Sequence, residues 1–132
     1  YVTNTTATIS LENNKIINND ATGNILRIQK DSWGNSGSNG GTVTLNMTNQ
    51  KVTGNIVVDS ISKLTMNLAS GSSFSGAINS DNTGEVELTL DSSSLITLTG
   101  DTYVKSLTNA DTTNGNIHTN GYKLYVNGAQ VK

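Results

Sequence analysis

The sequence predicts an all-β fold, a parallel β-solenoid of about four to five coils with roughly 22 residues in each. Three observations carry that expectation. Short segments that alternate apolar and polar residues recur at nearly constant spacing. A second marker, built around glycine, recurs in the same order. Segments rich in glycine, asparagine and serine separate the two.

In chain order, "ATISL" at Ala7–Leu11 is the first copy of the leading strand, and "TGNIL" at Thr22–Leu26 is the first glycine marker. The leading strand returns as "VTLNM" at Val43–Met47, "LTMNL" at Leu64–Leu68 and "VELTL" at Val86–Leu90, starting 21 and then 22 residues apart. Each alternates with period two, as a strand with one buried face does. The glycine marker returns as "VTGNIVV" from Val52, "FSGAINS" from Phe74 and "LTGDTYV" from Leu98. Its glycines Gly54, Gly76 and Gly100 are 22 and 24 residues apart.

The expected inward column is Ile9, Leu11, Val43, Leu45, Met47, Leu64, Met66, Leu68, Val86, Leu88 and Leu90. Phe74, Ile25, Ile56 and Ile78 are expected on the next face. Gly23, Gly54, Gly76 and Gly100 are expected at corners where a side chain would clash. Asn46 over Asn67 suggests an amide ladder outside. An antiparallel sandwich of the immunoglobulin kind also suits strands separated by turn signals. Nothing in a sandwich, however, requires successive strand pairs to look alike. "GNIHTNGYKLYVNG" at Gly115–Gly128 has shorter spacing, brings Tyr122 and Tyr125 together, and reads as a last partial coil or cap.

The first interval between TGN markers is 31 residues, so about nine are extra. "DSWGNSGSNGG", Asp31–Gly41, occupies most of that excess and holds the only tryptophan. An insertion at 30–41 is therefore expected, and insertions on regular stacks are where function tends to be added.

Composition narrows the class. The chain has 132 residues, enough for one domain, expected over 1–132. It has no cysteine, hence no disulfide framework and no thiolate nucleophile or ligand. Only 14% of residues are charged, whereas asparagine, threonine and serine number 19, 19 and 15. Low charge with small polar residues also suits disorder, and the apolar pattern decides against it. A net charge of −2 without a basic cluster removes the footprint nucleic-acid binding needs. No apolar run reaches the length of a membrane span, and no signal peptide is recognisable. A start at Tyr1 fits an excised or mature segment of a larger secreted protein. The expected location is extracellular or at a cell surface.

The repeat and its ending resemble the right-handed parallel β-helix domains of bacterial cell-surface proteins, which include autotransporter-like adhesins and the large β-helix repeat proteins of anaerobic bacteria. The loop "DSWGNSGSNGG" running into "TVTLNMTNQKVTGNIVVDSIS" is similar to segments of those proteins. The similarity runs from about Thr6 to Gly128. It implies a right-handed coil, secretion and a role as stalk, adhesin or surface-layer component. It brings no catalytic residues to carry over.

An enzyme reading would follow the β-helical polysaccharide lyases and hydrolases, whose acidic clusters bind calcium or act as an acid/base pair. The acids here are Asp59, Asp81, Glu85, Glu87, Asp91, Asp101 and Asp111, and the only arginine, Arg27, lies near the other end. They read as turn and surface acids. His118 has no triad spacing around it. No catalytic, metal or cofactor site is expected. Rows of Thr53, Ser75 and Thr99, and of Thr44 and Thr65, raise an ice-binding face, which Glu87 interrupts.

Carbohydrate binding is the strongest specific alternative. Trp33 offers a face for an apolar pyranose surface, with Asp31, Asn35 and Asn39 as hydrogen-bonding neighbours. The competing expectation folds Trp33 back over Leu26 and Ile28. Asn4 and Asn46 head glycosylation sequons. The expected function is a non-catalytic structural or adhesive surface module; the alternative is a carbohydrate-binding module centred on Trp33. Expected partners are a polysaccharide or a host or cell-surface glycan, and further copies joined through the solenoid ends, where "YVTNTTATIS" lacks an obvious cap. Neither nucleic acid nor membrane insertion is expected.

Overall fold

The structure is a computed structural model that describes residues 1–18 and 23–132. Among these the chain is all-β, without a helix. Its strands are β1 (Thr5–Glu12), β2 (Lys15–Ile17), β3 (Asn24–Ile28), β4 (Gly41–Thr48), β5 (Lys51–Thr53), β6 (Asn55–Val58), β7 (Lys63–Ala69) and β8 (Ser73–Gly76). They continue as β9 (Glu85–Leu90), β10 (Leu95–Leu98), β11 (Thr102–Val104), β12 (Ser106–Asn109), β13 (Ile117–His118), β14 (Leu124–Val126) and β15 (Ala129–Gln130).

Strands with equivalent sequence lie side by side. The leading segments form a parallel sheet ordered β1-β4-β7-β9-β12, and the segments that follow form a second, β13-β10-β8-β5-β2. β3 and β6 pair in parallel, and a bridge from Ile56 to Ile78 extends that face. β11 and β14 are also parallel, and β15 alone runs antiparallel, against β14. A sandwich would need antiparallel neighbours throughout. Val43, Leu64 and Val86 face one another across the first sheet, so the spacing of the repeat is the register of the pairing.

Alternation then builds the core. Val43, Leu45, Met47, Leu64, Met66, Leu68, Val86, Leu88 and Leu90 are buried, and Phe74, Ile56 and Ile78 close the core from the other faces. Ile9 and Leu11 are only half-buried because β1 is an edge strand. Ile25 departs from expectation. The pairing of β3 with β6 slips by one residue between Asn24 and Leu26, so Leu26 and Ile28 are the buried partners of Ile56 and Val58, and Ile25, the extra residue, is half-buried against the same core.

The corners are set by backbone conformation. Asn13, Asn49 and Ser70, just past β1, β4 and β7, have φ of 56°, 46° and 56°. Asparagine tolerates this left-handed region better than other non-glycine residues. The Asn49 amide also donates to Asn13 Oδ1 at 2.9 Å, which ties two corners together. The Asn67 amide likewise donates to Asn46 Oδ1 at 2.9 Å, forming the expected ladder.

Two expected equivalences shift. Gly76 lies beside Gly54, but its partner in the next strand is Leu98 rather than Gly100. Gly100 belongs to a short excursion, and for the same reason Thr97, not Thr99, lines up with Ser75 and Thr53. Of the first marker, Thr22 is outside the described residues; the Gly23 carbonyl accepts from Asn55 N at 2.7 Å.

The two edges of these sheets differ. At the C-terminal end β15 folds back on β14, and Lys132 Nζ donates to the carbonyls of Asn114 and Ile117, both at 2.7 Å. Ile117 and Leu124 there are each 1% exposed. At the N-terminal end Ile9, Leu11, Ile16 and Ile25 line an apolar cavity of about 140 Å³. Val2 adds to the outer edge of β3, pairing in parallel with Ile28. Tyr125 stacks on Tyr103, one repeat away, rather than on Tyr122; the rings are 4.7 Å apart and 4° from parallel.

Asp91 caps the corner between β9 and β10. Its Oδ1 accepts from Ser93 N, Ser93 Oγ and Ser94 Oγ, and its Oδ2 accepts from Ser70 N at 2.8 Å. Burial alone would raise its pKa, but these bonds together hold it below the ordinary carboxylate value. A carboxylate with a depressed pKa stabilises the fold above its unfolded pKa, and that contribution is lost as pH falls through the folded value. The wild-type urea midpoint is therefore expected to drop between about pH 5 and pH 2. The stability gap to Asp91→Asn should shrink over the same range; a gap independent of pH would show that the cap carries no charge-dependent stability.

Candidate ligand-contact loop

The corner between β3 and β4 differs from the corner between β6 and β7 by an insertion. Thirteen residues separate Ile28 from Thr42, whereas four separate Val58 from Lys63, their partners in the next repeat, so nine are extra. The flanking residues keep the register. Lys30 N donates to Asp59 Oδ2 at 2.7 Å, Gly41 N donates to Ser62 Oγ at 3.0 Å, and Gly40 lies against the Ile61 carbonyl. The extra residues are therefore Asp31–Asn39.

This loop is closed on itself. Asn39 is 4% exposed, and its amide donates to the carbonyls of Asp31 and Trp33, both at 2.8 Å. The Asn39 carbonyl accepts from Asn4 N at 3.0 Å, tying the loop to the start of the chain. Gly34, with φ of 78°, packs so closely on the Asn4 side chain that a β-carbon would lie 2.4 Å from its Oδ1. Ser38 N and Oγ both donate to the Asn35 carbonyl.

Of the four residues expected to face a ligand, Asn39 is thus a brace whose donors are already engaged. Trp33, Asp31 and Asn35 remain at the surface. Trp33 is 72% exposed, and Leu26 and Ile28, which it was expected to cover, are buried opposite β6. Asp31 Oδ1 accepts from Ser32 N at 2.8 Å. The loop presents an indole with a carboxylate and an amide close by in the chain, an arrangement able to stack on a flat apolar face and hydrogen-bond at its rim.

Outside the loop itself, most of the acids are engaged. Lys63 Nζ is 3.5 Å from Glu85 and 3.4 Å from Glu87, and Lys105 Nζ is 2.6 Å from Glu85. The hydrogen bond and charge of Lys105 hold the Glu85 carboxyl below its usual range, and Glu85 holds the Lys105 ammonium above its own. Asp59 accepts from Ser62 Oγ, Asp111 from Thr113, and Asp101 from Lys123 N at 2.9 Å, each within or between turns. His118 is exposed on β13, in line with Thr97. Among the described residues no three histidine or acidic side chains gather as metal ligands would, and no helix is long and apolar enough to cross a membrane.

The Tyr103–Tyr125 stack escaped the sequence reading. Its signal was present, since the two tyrosines are 22 residues apart, one repeat. Comparison of the chain with protein-family models, with curated proteins and with solved structures returned no match.

Proposed function

We propose that the chain is a right-handed parallel β-solenoid serving as a non-catalytic structural and adhesive module at an extracellular surface, of the kind found in the bacterial β-helix repeat proteins it resembles. The observation that carries the reading is the return of the chain to the same sheets in parallel register, with one exposed insertion standing out from it. Such a stack is a rigid rod, and what it holds out is the loop. The acids support a non-catalytic role because most of them brace turns, and Glu85 and Glu87 are paired with lysines.

Self-association belongs to the same reading and uses one end. Among the described residues the N-terminal edge leaves the eight residues of β1 unpaired on one side above an apolar cavity, whereas β15 and Lys132 cover part of the other end. A second copy meeting the first through that edge closes a dimer and leaves no growing end. Sedimentation velocity over a wide concentration range should reveal a reversible dimer that Ile9→Lys abolishes; a species monomeric at every concentration overturns end association.

A second reading, carbohydrate binding through the loop, is favoured by the exposure of Trp33. Its emission is expected to shift on titration with at least one soluble plant or host polysaccharide, and a flat response across such a panel overturns it.

A further inference from the structure

We propose a second, separate ligand site: a groove between the 79–84 turn and the 127–128 turn that takes a neutral pyranose residue of a glycan. The groove encloses about 330 Å³ and is lined by Asn82, Glu85, Tyr103, Lys105 and Asn127, with Asn79 beneath. It lies at the same corner of the stack as the Trp33 loop, three strand spacings along the axis, or about 14 Å. It does not depend on that loop.

The groove is built before any ligand arrives. Asn79 is buried, and its amide donates to the carbonyls of Gly84 at 3.0 Å and Tyr103 at 3.1 Å. Its Oδ1 accepts from Thr83 N and Gly84 N, and Thr83 Oγ1 donates to the Val58 carbonyl at 2.7 Å. The turn that forms one wall is therefore held from inside. The opposite wall is fixed by Asn127 N, which donates to the Val104 carbonyl at 2.9 Å. Stacking on Tyr125 sets the orientation of the Tyr103 ring.

The remaining groups match a sugar. Asn82 and Asn127 have φ of 54° and 49° and hold their turns through the backbone, and their side-chain amides make no hydrogen bond among the described residues. Each offers a donor pair and an acceptor, the complement of vicinal hydroxyls. Tyr103 supplies an aromatic surface for an apolar ring face. Glu85 and Lys105 meet at 2.6 Å, and Lys63 and Glu87 complete a set of two cations and two anions. The local charges balance, which favours a neutral sugar over a uronate or a phosphate.

Left-handed φ at both asparagines supplies a clean test, because glycine adopts that conformation freely. Asn82→Gly/Asn127→Gly removes both amides and leaves the turns intact. The probes are the hexasaccharides of β-1,4-glucose, β-1,4-mannose and α-1,4-galacturonate, titrated into ¹⁵N-labelled protein and followed by amide chemical shifts. At least one neutral hexasaccharide is expected to give saturable shifts at Asn82, Tyr103 and Asn127. The double glycine variant should bind it about tenfold more weakly, as expected for loss of two hydrogen bonds, and Trp33→Ala should leave the shifts at Tyr103 in place. The proposal is overturned by an absence of groove shifts with both neutral probes, by preferential binding of the galacturonate, by shifts confined to residues 31–39, or by undiminished affinity of the glycine variant.

Discussion

Gly76→Ala is expected to destabilise the protein by about 3 kcal/mol, with Gly100→Ala losing less than about 1 kcal/mol. A β-carbon at Gly76 would lie 2.2 Å from the Gly54 carbonyl oxygen and 2.8 Å from its carbon. Those are backbone atoms, and they cannot turn aside as a side-chain end can. Gly54 is itself at φ of 143° and packed on Ile25 and Gly23, so it has little room to retreat. Relief would require opening the spacing between two passes of the chain, against every ladder bond at that corner. At Gly100 the nearest atom is the Ala77 β-carbon at 3.0 Å, and φ is not in the left-handed region. Domain stabilities lie at about 5–15 kcal/mol, so the first substitution removes a substantial share. Urea denaturation with circular dichroism decides it. Equal midpoints for the two variants would mean that the Gly54–Gly76 approach does not constrain the fold.

Phe74→Ala should cost about 3–5 kcal/mol, the usual range for truncating a buried aromatic residue. Phe74 is the only phenylalanine in the chain and is 1% exposed. It stands between Val52 and Ile96 on the neighbouring strands of its sheet and packs into the core. A strand held by ladder bonds on both sides cannot move sideways onto the void, so the cavity term is retained nearly in full. Phe74→Leu restores most of the volume and should cost less than about 1.5 kcal/mol. Leu11→Ala, on the half-buried edge strand, should lose only about 1 kcal/mol, because part of that side chain already meets solvent. Thermal and urea unfolding of the three variants tests the ordering. A Leu11→Ala loss as large as that of Phe74→Ala would show that the interior is not densest where the structure places it.

The architecture was legible because one periodic signal specified both burial and pairing. Alternation in "VTLNM", "LTMNL" and "VELTL" determined which side chains point inward, and their spacing determined which residues face one another. What failed was whatever a local shift controls. Ile25 matches Ile56 in the TGN alignment, but a one-residue slip in β3 puts Leu26 opposite Ile56 instead, and nothing in five residues signals such a slip. Gly100 looked like Gly76 because both follow a Thr or Ser, yet register is set by the flanking strands and skips to Leu98. The loop was found by its length, whereas its internal order was not. Asn39 appeared to be one more polar neighbour of Trp33, and only its two bonds to main-chain carbonyls reveal a brace. The groove at Tyr103 was hidden for another reason: its walls come from turns 79–84 and 127–128, far apart in sequence and joined only by stacking.

The nine residues Asp31–Asn39 leave and re-enter the chain at neighbouring points, with Lys30 and Gly40 seated where Ser60 and Ile61 sit in the following pass. Their bonds are mostly to one another, and their tether to the rest is Asn4. Such a segment behaves as a cassette. Its sequence can drift, lengthen or be exchanged without asking any strand to change partners, because the ladder on both sides closes without it. A change of sequence in the loop is thereby uncoupled from the strand pairing that folds the chain. Trp33 stands on the uncoupled side of that division, and Gly76 and Phe74 stand on the other.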